Sequence, residues 1–253
     1  MMLQRILLIS FFLAFSSPAF AGFDEGKQAY DKKDWLTAIK ELRPLAERGD
    51  DRAMILLANM YAGGYGVVPS HEESLALYKR AAIEKSNPQA MDAVGAAYVS
   101  ATGVDQNLAT ALEWFHRSAK LGDQMGAFFY ASILVQGNKT APNKIQPDPY
   151  AAYKWFKIAA ANPQNPTFQQ YSDKIAQGII AKKMLTPEEI VKVEKEVAAW
   201  KPIEAKDLGP VPVDPPQTPK KPVPVPEKES TVKSLPPPAA TDKPLMHSVL
   251  PQK

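Results

Sequence analysis

One stretch of this chain repeats itself 37 residues further on. Ala53, Tyr61, Gly66-Val67, Tyr78 and Ala82 recur as Ala90, Tyr98, Gly103-Val104, Phe115 and Ala119. A third copy keeps Ala127, Trp155, Phe156 and Ala160, with its spacing stretched by an insertion. A period in the thirties is that of a stacked helical array, in which each unit is one supersecondary element. No unit buries its apolar face alone, so the stack is what folds. This predicts an all-α solenoid of antiparallel helix pairs joined by short loops, without strands.

The helix boundaries follow from local chemistry. Asn87-Pro88 supplies a cap followed by proline at the first helical position. Ser70 with Glu73 forms a capping-box pattern, and Thr186-Pro187-Glu188-Glu189 combines both devices to open a last helix running to about Trp200. Gly49-Asp50 and Gly122-Asp123 read as a helix stop followed by the next cap. Gly66 and Gly103 are expected to end the first helix of their pairs in a left-handed conformation. Ala58, Gly95, Ala81-Ala82 and Ser118-Ala119 are the small partners of Tyr61, Tyr98, Tyr78, Trp114 and Phe115, where helices come close.

Composition divides the chain into three regions: 1–21, 22–200 and 201–253. Met1 to Ala21 has one charge, Arg5, then the apolar run Ile6 to Phe15 and a small-residue end, Ala19-Phe20-Ala21. That is the pattern of a secretory signal peptide cleaved near Ala21, and the apolar run is too short for a membrane span. The repeat region, 22–200, divides into units at about 23–49, 50–86, 87–122 and 123–161, with capping helices over 167–200. From 201 to 253 the chain carries 14 of its 24 prolines, which removes amide donors and excludes regular helix. The expectation there is a disordered, proline-rich tail with local polyproline II character. The chain has no cysteine. That excludes disulfides, thiolate nucleophiles and cysteine metal clusters, and suits a bacterial periplasm. Basic and acidic residues balance over 22–200, so the clustered basic footprint of a nucleic-acid binder is missing.

With these residues in view, the chain resembles the Sel1-like repeat proteins, relatives of the tetratricopeptide repeats. One copy reads Ala53, Leu57-Ala58, Tyr61, Gly64-Tyr65-Gly66-Val67, Leu77-Tyr78 and Ala81-Ala82. The next reads Ala90, Val94-Gly95, Tyr98, Gly103-Val104-Asp105, Ala111, Trp114-Phe115, Ser118-Ala119 and Gly122. The third reads Ala127, Leu134, Ala152, Trp155-Phe156 and Ala159-Ala160, with Asn138 to Pro149 inserted. Gly26, Ala29-Tyr30, Asp34-Trp35, Ala38 and Leu42 resemble a tetratricopeptide unit. The resemblance implies a right-handed superhelical solenoid and, without cysteines, the disulfide-free branch of the family. The matching residues are structural, so the resemblance carries no activity with it.

No catalytic constellation stands out. His71 has Leu75 where a helical zinc motif needs a second histidine. His116 is placed at a helix surface and His247 in the tail, and no metal or cofactor is expected. Asp50-Asp51, Glu72-Glu73 and Glu188-Glu189 fall in first helical turns, where capping and the helix dipole account for them. Gly63-Gly64-Tyr65-Gly66 lacks the lysine and hydroxyl residue of a phosphate loop, and Trp35, Trp114 and Trp155 read as core.

The resemblance implies that the first helix of each pair lines a concave face. The residues carried onto it are Lys27, Tyr30, Asp31, Arg52, Ile55, Asn59, Gln89, Asp92, Phe129 and Gln136. Such a strip would hold a peptide by hydrogen bonds and a few anchors. The expectation is a monomeric, non-enzymatic periplasmic scaffold or adaptor for a protein or peptide partner. The alternatives are a cell-wall or small-ligand binder with weak hydrolytic activity, marked by a buried carboxylate pair in the groove, and a secreted factor engaging a host protein.

Overall fold

The computed structural model describes residues 21–138 and 144–214. Residues 1–20, most of the expected signal peptide, the tip of the 138–149 insertion, His247 and the tail beyond Asp214 lie outside the described residues. Among the described residues ten α-helices follow one another: α1 Ala21–Asp31, α2 Trp35–Glu47, α3 Asp51–Gly63, α4 His71–Glu84, α5 Pro88–Ser100, α6 Leu108–Lys120, α7 Gln124–Gln136, α8 Pro149–Ala161, α9 Pro166–Ala181 and α10 Pro187–Ala199. An isolated bridge between Asn138 and Ile145 closes the base of the insertion. No described helix is long and apolar enough to cross a membrane.

Each helix from α2 to α10 opens on a short polar residue whose side-chain oxygen accepts from first-turn amides that have no intrahelical partner. At Thr186 and Glu189 both halves of the capping box form. Ser70 accepts from the Glu73 amide at 3.1 Å.

Two details of the turns differ from expectation. The first helices end two to three residues earlier than Gly66 and Gly103. Their left-handed caps are Gly64 (φ 69°) and, one period on, Ala101 (φ 57°). Gly66 and Gly103 sit further along the turn, also at positive φ. There the chain must fold back tightly: a Cβ on Gly103 would lie 2.5 Å from the backbone oxygen of His71, where α4 begins.

Within each unit α1 packs on α2, α3 on α4, α5 on α6 and α7 on α8, and each second helix packs on the next first helix. Contacts also join first helices across units, α1 to α3, α5 to α7 and α7 to α9. The first helices therefore lie on the inner side of the curve and the second helices on the outer side. The core is continuous along the stack. Trp114, Tyr98, Tyr153, Phe115, Phe128, Phe129 and Phe156 are the largest side chains enclosed in it, set between Ala53, Ala90, Ala111, Ala127 and Ala152. Trp155 is buried as well, while Trp35 is half-buried and stacks on Tyr65 at 4.9 Å.

The last helix does not extend the stack. α10 folds back onto the outer side of α8, where Glu196 accepts from Tyr150 and Lys154 at 2.7 Å each. The chain then runs on past Trp200. Residues 201–214, assigned from composition to a disordered tail, are ordered against the array as an irregular strap, with a 3-10 turn, Ala205–Asp207, followed by a helical Leu208 and a left-handed Gly209. Proline content excludes regular helix but leaves irregular chain free to be held by carbonyl and side-chain contacts, and that is how this segment is held.

Opposite substitutions test the turn assignment. Gly103→Ala, which needs positive φ and meets α4 backbone, should destabilise by about 2 kcal/mol or more in urea unfolding. Ala101→Gly, which relieves a left-handed alanine, should stabilise by up to about 1 kcal/mol in the same assay.

Candidate functional site

The ten residues expected on the concave strip do not form one surface. Lys27 and Asp31 are exposed and paired with each other at 2.6 Å. Arg52 lies over the Phe23 ring and is bound to Asp50, the cap of its own helix, at 2.8 Å. Tyr30 is half-buried, edge-on to Trp35, and Asn59 accepts from the buried Tyr78 hydroxyl. Gln89 and Gln136 are exposed. Ile55, Asp92 and Phe129 are buried and cannot meet a partner. Phe129 packs against Phe115, Phe128 and Phe168. The assignment failed because helices at the centre of a solenoid bury two sides, one against their own pair and one against the next unit.

Asp92 has a different character. It is wholly buried at the interface of α5 with the start of α7, and neither carboxylate oxygen has a well-formed hydrogen bond. Burial and then the neighbouring Asp123 carboxylate raise its pKa well above the usual carboxylate range. A buried carboxylate pair was the expected mark of hydrolysis. Here Asp92 is sealed from solvent, while Asp123 is half-buried and engaged by the amides of Met125 and Gly126 at the head of α7. His116 is half-buried. It stacks on Tyr130 at 4.4 Å and meets Trp155 edge-on. Burial, with Lys120 nearby, lowers its pKa to about 4. Among the described residues no group of three or more His, Asp or Glu is placed to hold a metal ion.

The polar groups that converge lie on the outer face. The strap crosses the second helices in reverse order, from α8 through α6 to α4. Trp200 meets Trp155 edge-on at 5.9 Å. Trp200 and Pro202 help wall a cavity of about 270 Å³ with Ile158, Ala161, Val197 and Gly122. The Ile203 amide then donates to Lys120 O at 2.9 Å. Leu208 is buried, and Arg117 Nη1 donates to the carbonyls of Leu208, Gly209 and Pro210 at 3.2, 3.2 and 2.7 Å. At the far end Asp214 accepts from Lys79 Nζ and the Tyr98 hydroxyl, both at 2.6 Å. Burial opposes the charge of Asp214, but those two donors prevail and hold its pKa below the usual range. Burial and then the Asp214 bond raise that of Tyr98.

Sequence reasoning passed over these residues, yet a signal was present. Arg117 lies 37 residues after Arg80 and Arg80 lies 37 after Arg43, so the repeat period puts one arginine on each of α2, α4 and α6. Arg43 and Arg80 wall a second cavity of about 280 Å³, with Tyr61 and Leu57 lining it from α3. It is the equivalent, one unit earlier, of the groove that Arg117 and Tyr98 line.

Comparison with known proteins agrees with this division of the chain. The Sel1 repeat profile matches residues 51–85, 88–123 and 126–163, which are the pairs α3–α4, α5–α6 and α7–α8. These three segments are Sel1 repeats. The chain is similar to the crystal structure of a Sel1 repeat protein from Oxalobacter formigenes, with 25% identity and a TM-score of 0.55, over 72% of this chain and 73% of that one. A protective antigen of uropathogenic Escherichia coli displaying an SLR fold aligns at 19% identity and a TM-score of 0.41, over 72% of this chain and 45% of that one. A search of curated proteins returns no match.

Two measurements test the site. Because its folded pKa is raised, the stability that Asp92 contributes is full below about pH 4, its unfolded value, and is lost as pH rises through the folded pKa. Asp92→Asn should therefore raise Tm at pH 7 by a few degrees, with the gain shrinking towards pH 4. Arg117→Ala should speed amide exchange at Ile203 at least tenfold while core amides of α5 keep their protection, since the strap opens without the array.

Proposed function

We propose that this chain is a non-enzymatic, exported scaffold that binds a partner protein through its Sel1 repeats, and that it works as a monomer in the bacterial periplasm. The observation that carries the reading is the strap. The array already holds a non-helical segment of polypeptide across three of its second helices, with Arg117, Lys79 and Tyr98 as donors. Binding such a segment of another protein needs the same contacts and no chemistry beyond them. Sel1 repeat proteins commonly mediate protein–protein interaction, and export is supported by the Met1–Ala21 pattern. The outer-face groove replaces the inner strip as the favoured surface, because the exposed charged residues of that strip, Lys27, Asp31 and Arg52, already pair within their own helix ends.

A photo-crosslinking residue placed at exposed Arg43, beside the open outer-face cavity, should yield a discrete protein adduct in intact cells. The same residue at Gln89 on α5 should yield little. Adducts from Gln89 alone would return recognition to the inner face, and none from either position would sink the scaffold reading. N-terminal sequencing of the recovered chain should begin near Gly22 if export is correct.

A further inference from the structure

The strap and the groove beneath it are unequally matched. Of residues 201–214 only Leu208 is buried, and Ile203 and Pro212 are half-buried. So little apolar burial makes this segment one of the cheaper parts of the molecule to open. The groove, by contrast, is built into the stack. Arg117 is 9% exposed and Tyr98 is fully enclosed, while the Lys79 side chain is 19% exposed and lies 5.2 Å from the Tyr98 ring centre. The carbonyls and the carboxylate that these donors bind come from the strap, apart from the internal Lys79–Tyr98 bond at 3.1 Å. Arg117 Nε is buried with no hydrogen-bond partner, so the guanidinium has a donor to spare. These exposures include the cover that the strap provides. With the strap lifted, the donors face water, and an occupant of the same chemistry can replace it.

That chemistry can be read off the contacts. Arg117 binds three consecutive backbone carbonyls at a turn, where Leu208 is helical (φ −66°) and Gly209 left-handed (φ 75°), and so selects a chain that bends there, with glycine favoured at the left-handed position. Proline suits the residue that follows, because it has no amide to satisfy and its φ is fixed. Four residues beyond the last of these carbonyls, Lys79 and Tyr98 require a carboxylate. Both contacts lie on helices of adjacent Sel1 repeats, α4, α5 and α6, so the spacing between them is set by the 37-residue period.

We propose that the Lys79–Tyr98–Arg117 groove is the recognition site for a proline-containing segment of the partner that turns at the carbonyls bound by Arg117 and presents an acidic side chain four residues after them, and that residues 203–214 occupy it as an intramolecular competitor. The proposal rests on the reading of the chain as a protein-binding scaffold and adds to it a surface, a ligand class and a means of control. A tethered competitor acts at an effective concentration of order millimolar, so the groove admits only ligands that outcompete it, or opens when the strap is drawn off.

The test uses the full chain and a labelled peptide of its own sequence 203–214 as the probe. In a second full-length protein the strap is weakened by Leu208→Asp and Asp214→Asn, which leave every residue of the repeats intact. Circular dichroism checks that helicity is unchanged. The weakened chain should bind the peptide at least tenfold more tightly than the unaltered chain. A peptide carrying Asp214→Asn should bind less tightly, and adding Arg117→Gln to the weakened chain should abolish binding. Equal binding by both chains, or binding by neither, overturns the proposal. Failure here with adducts still formed at Arg43 would leave the scaffold reading standing, whereas peptide binding without any cellular adduct would point the other way.

Discussion

The stack depends on helix backbones coming close enough to share one core, and that closeness depends on small side chains at fixed places. Ala53, Ala90 and Ala127 are enclosed at the same point of three successive first helices. At Gly95 a Cβ would lie 2.8 Å from the ring of Phe115, and at Gly126 one would lie 2.6 Å from the Cβ of Ser118. Where backbones close in, the aromatic side chains have no route to water and fill the layer between units. The caps then set the length of each helix so that these layers fall in register. Asn87, the cap of α5, also donates to Asp51 at the head of α3 at 2.6 Å, which ties the start of one unit to the start of the next.

Much of this could be read before any coordinates. The period, the caps at Asp50, Asn87, Asp123 and Thr186, and the core roles of Trp114 and Trp155 come from local chemistry that repeats, and repetition makes a weak signal readable. The Sel1 assignment rests on the same residues. What could not be read depends on the third dimension. Periodicity says that Asp92 and Phe129 lie on a helix, but not that α5 and α7 are covered on two sides, so residues placed on a surface turned out to be interior. His116, flanked by Phe115 and Arg117, gives no hint that Tyr130 and Trp155 pack against it.

The strap was missed for another reason. Composition is a statement about what a segment cannot do by itself, and residues 201–214 have too few apolar side chains to order alone. Their order comes from donors displayed elsewhere, on helices 90 or more residues earlier in the chain. Arg43, Arg80 and Arg117 were visible at the repeat period, but a surface arginine reads as solubility until something is seen to sit against it.

The strap also changes how the array responds to force. In a plain solenoid each unit touches only its neighbours, so a pull on the C-terminal end would peel the helices one after another from α10 inwards. Here Asp214 is fastened to Lys79 and Tyr98, and Arg117 grips the strap between those contacts and α10. Tension on the chain beyond Asp214 therefore enters the molecule at α4 and α5, in its middle. Contacts of a few side chains yield there before any helix is disturbed. The segment 201–214 is a mechanical fuse: slack is paid out while the repeats stay folded, and the face beneath is uncovered as it goes.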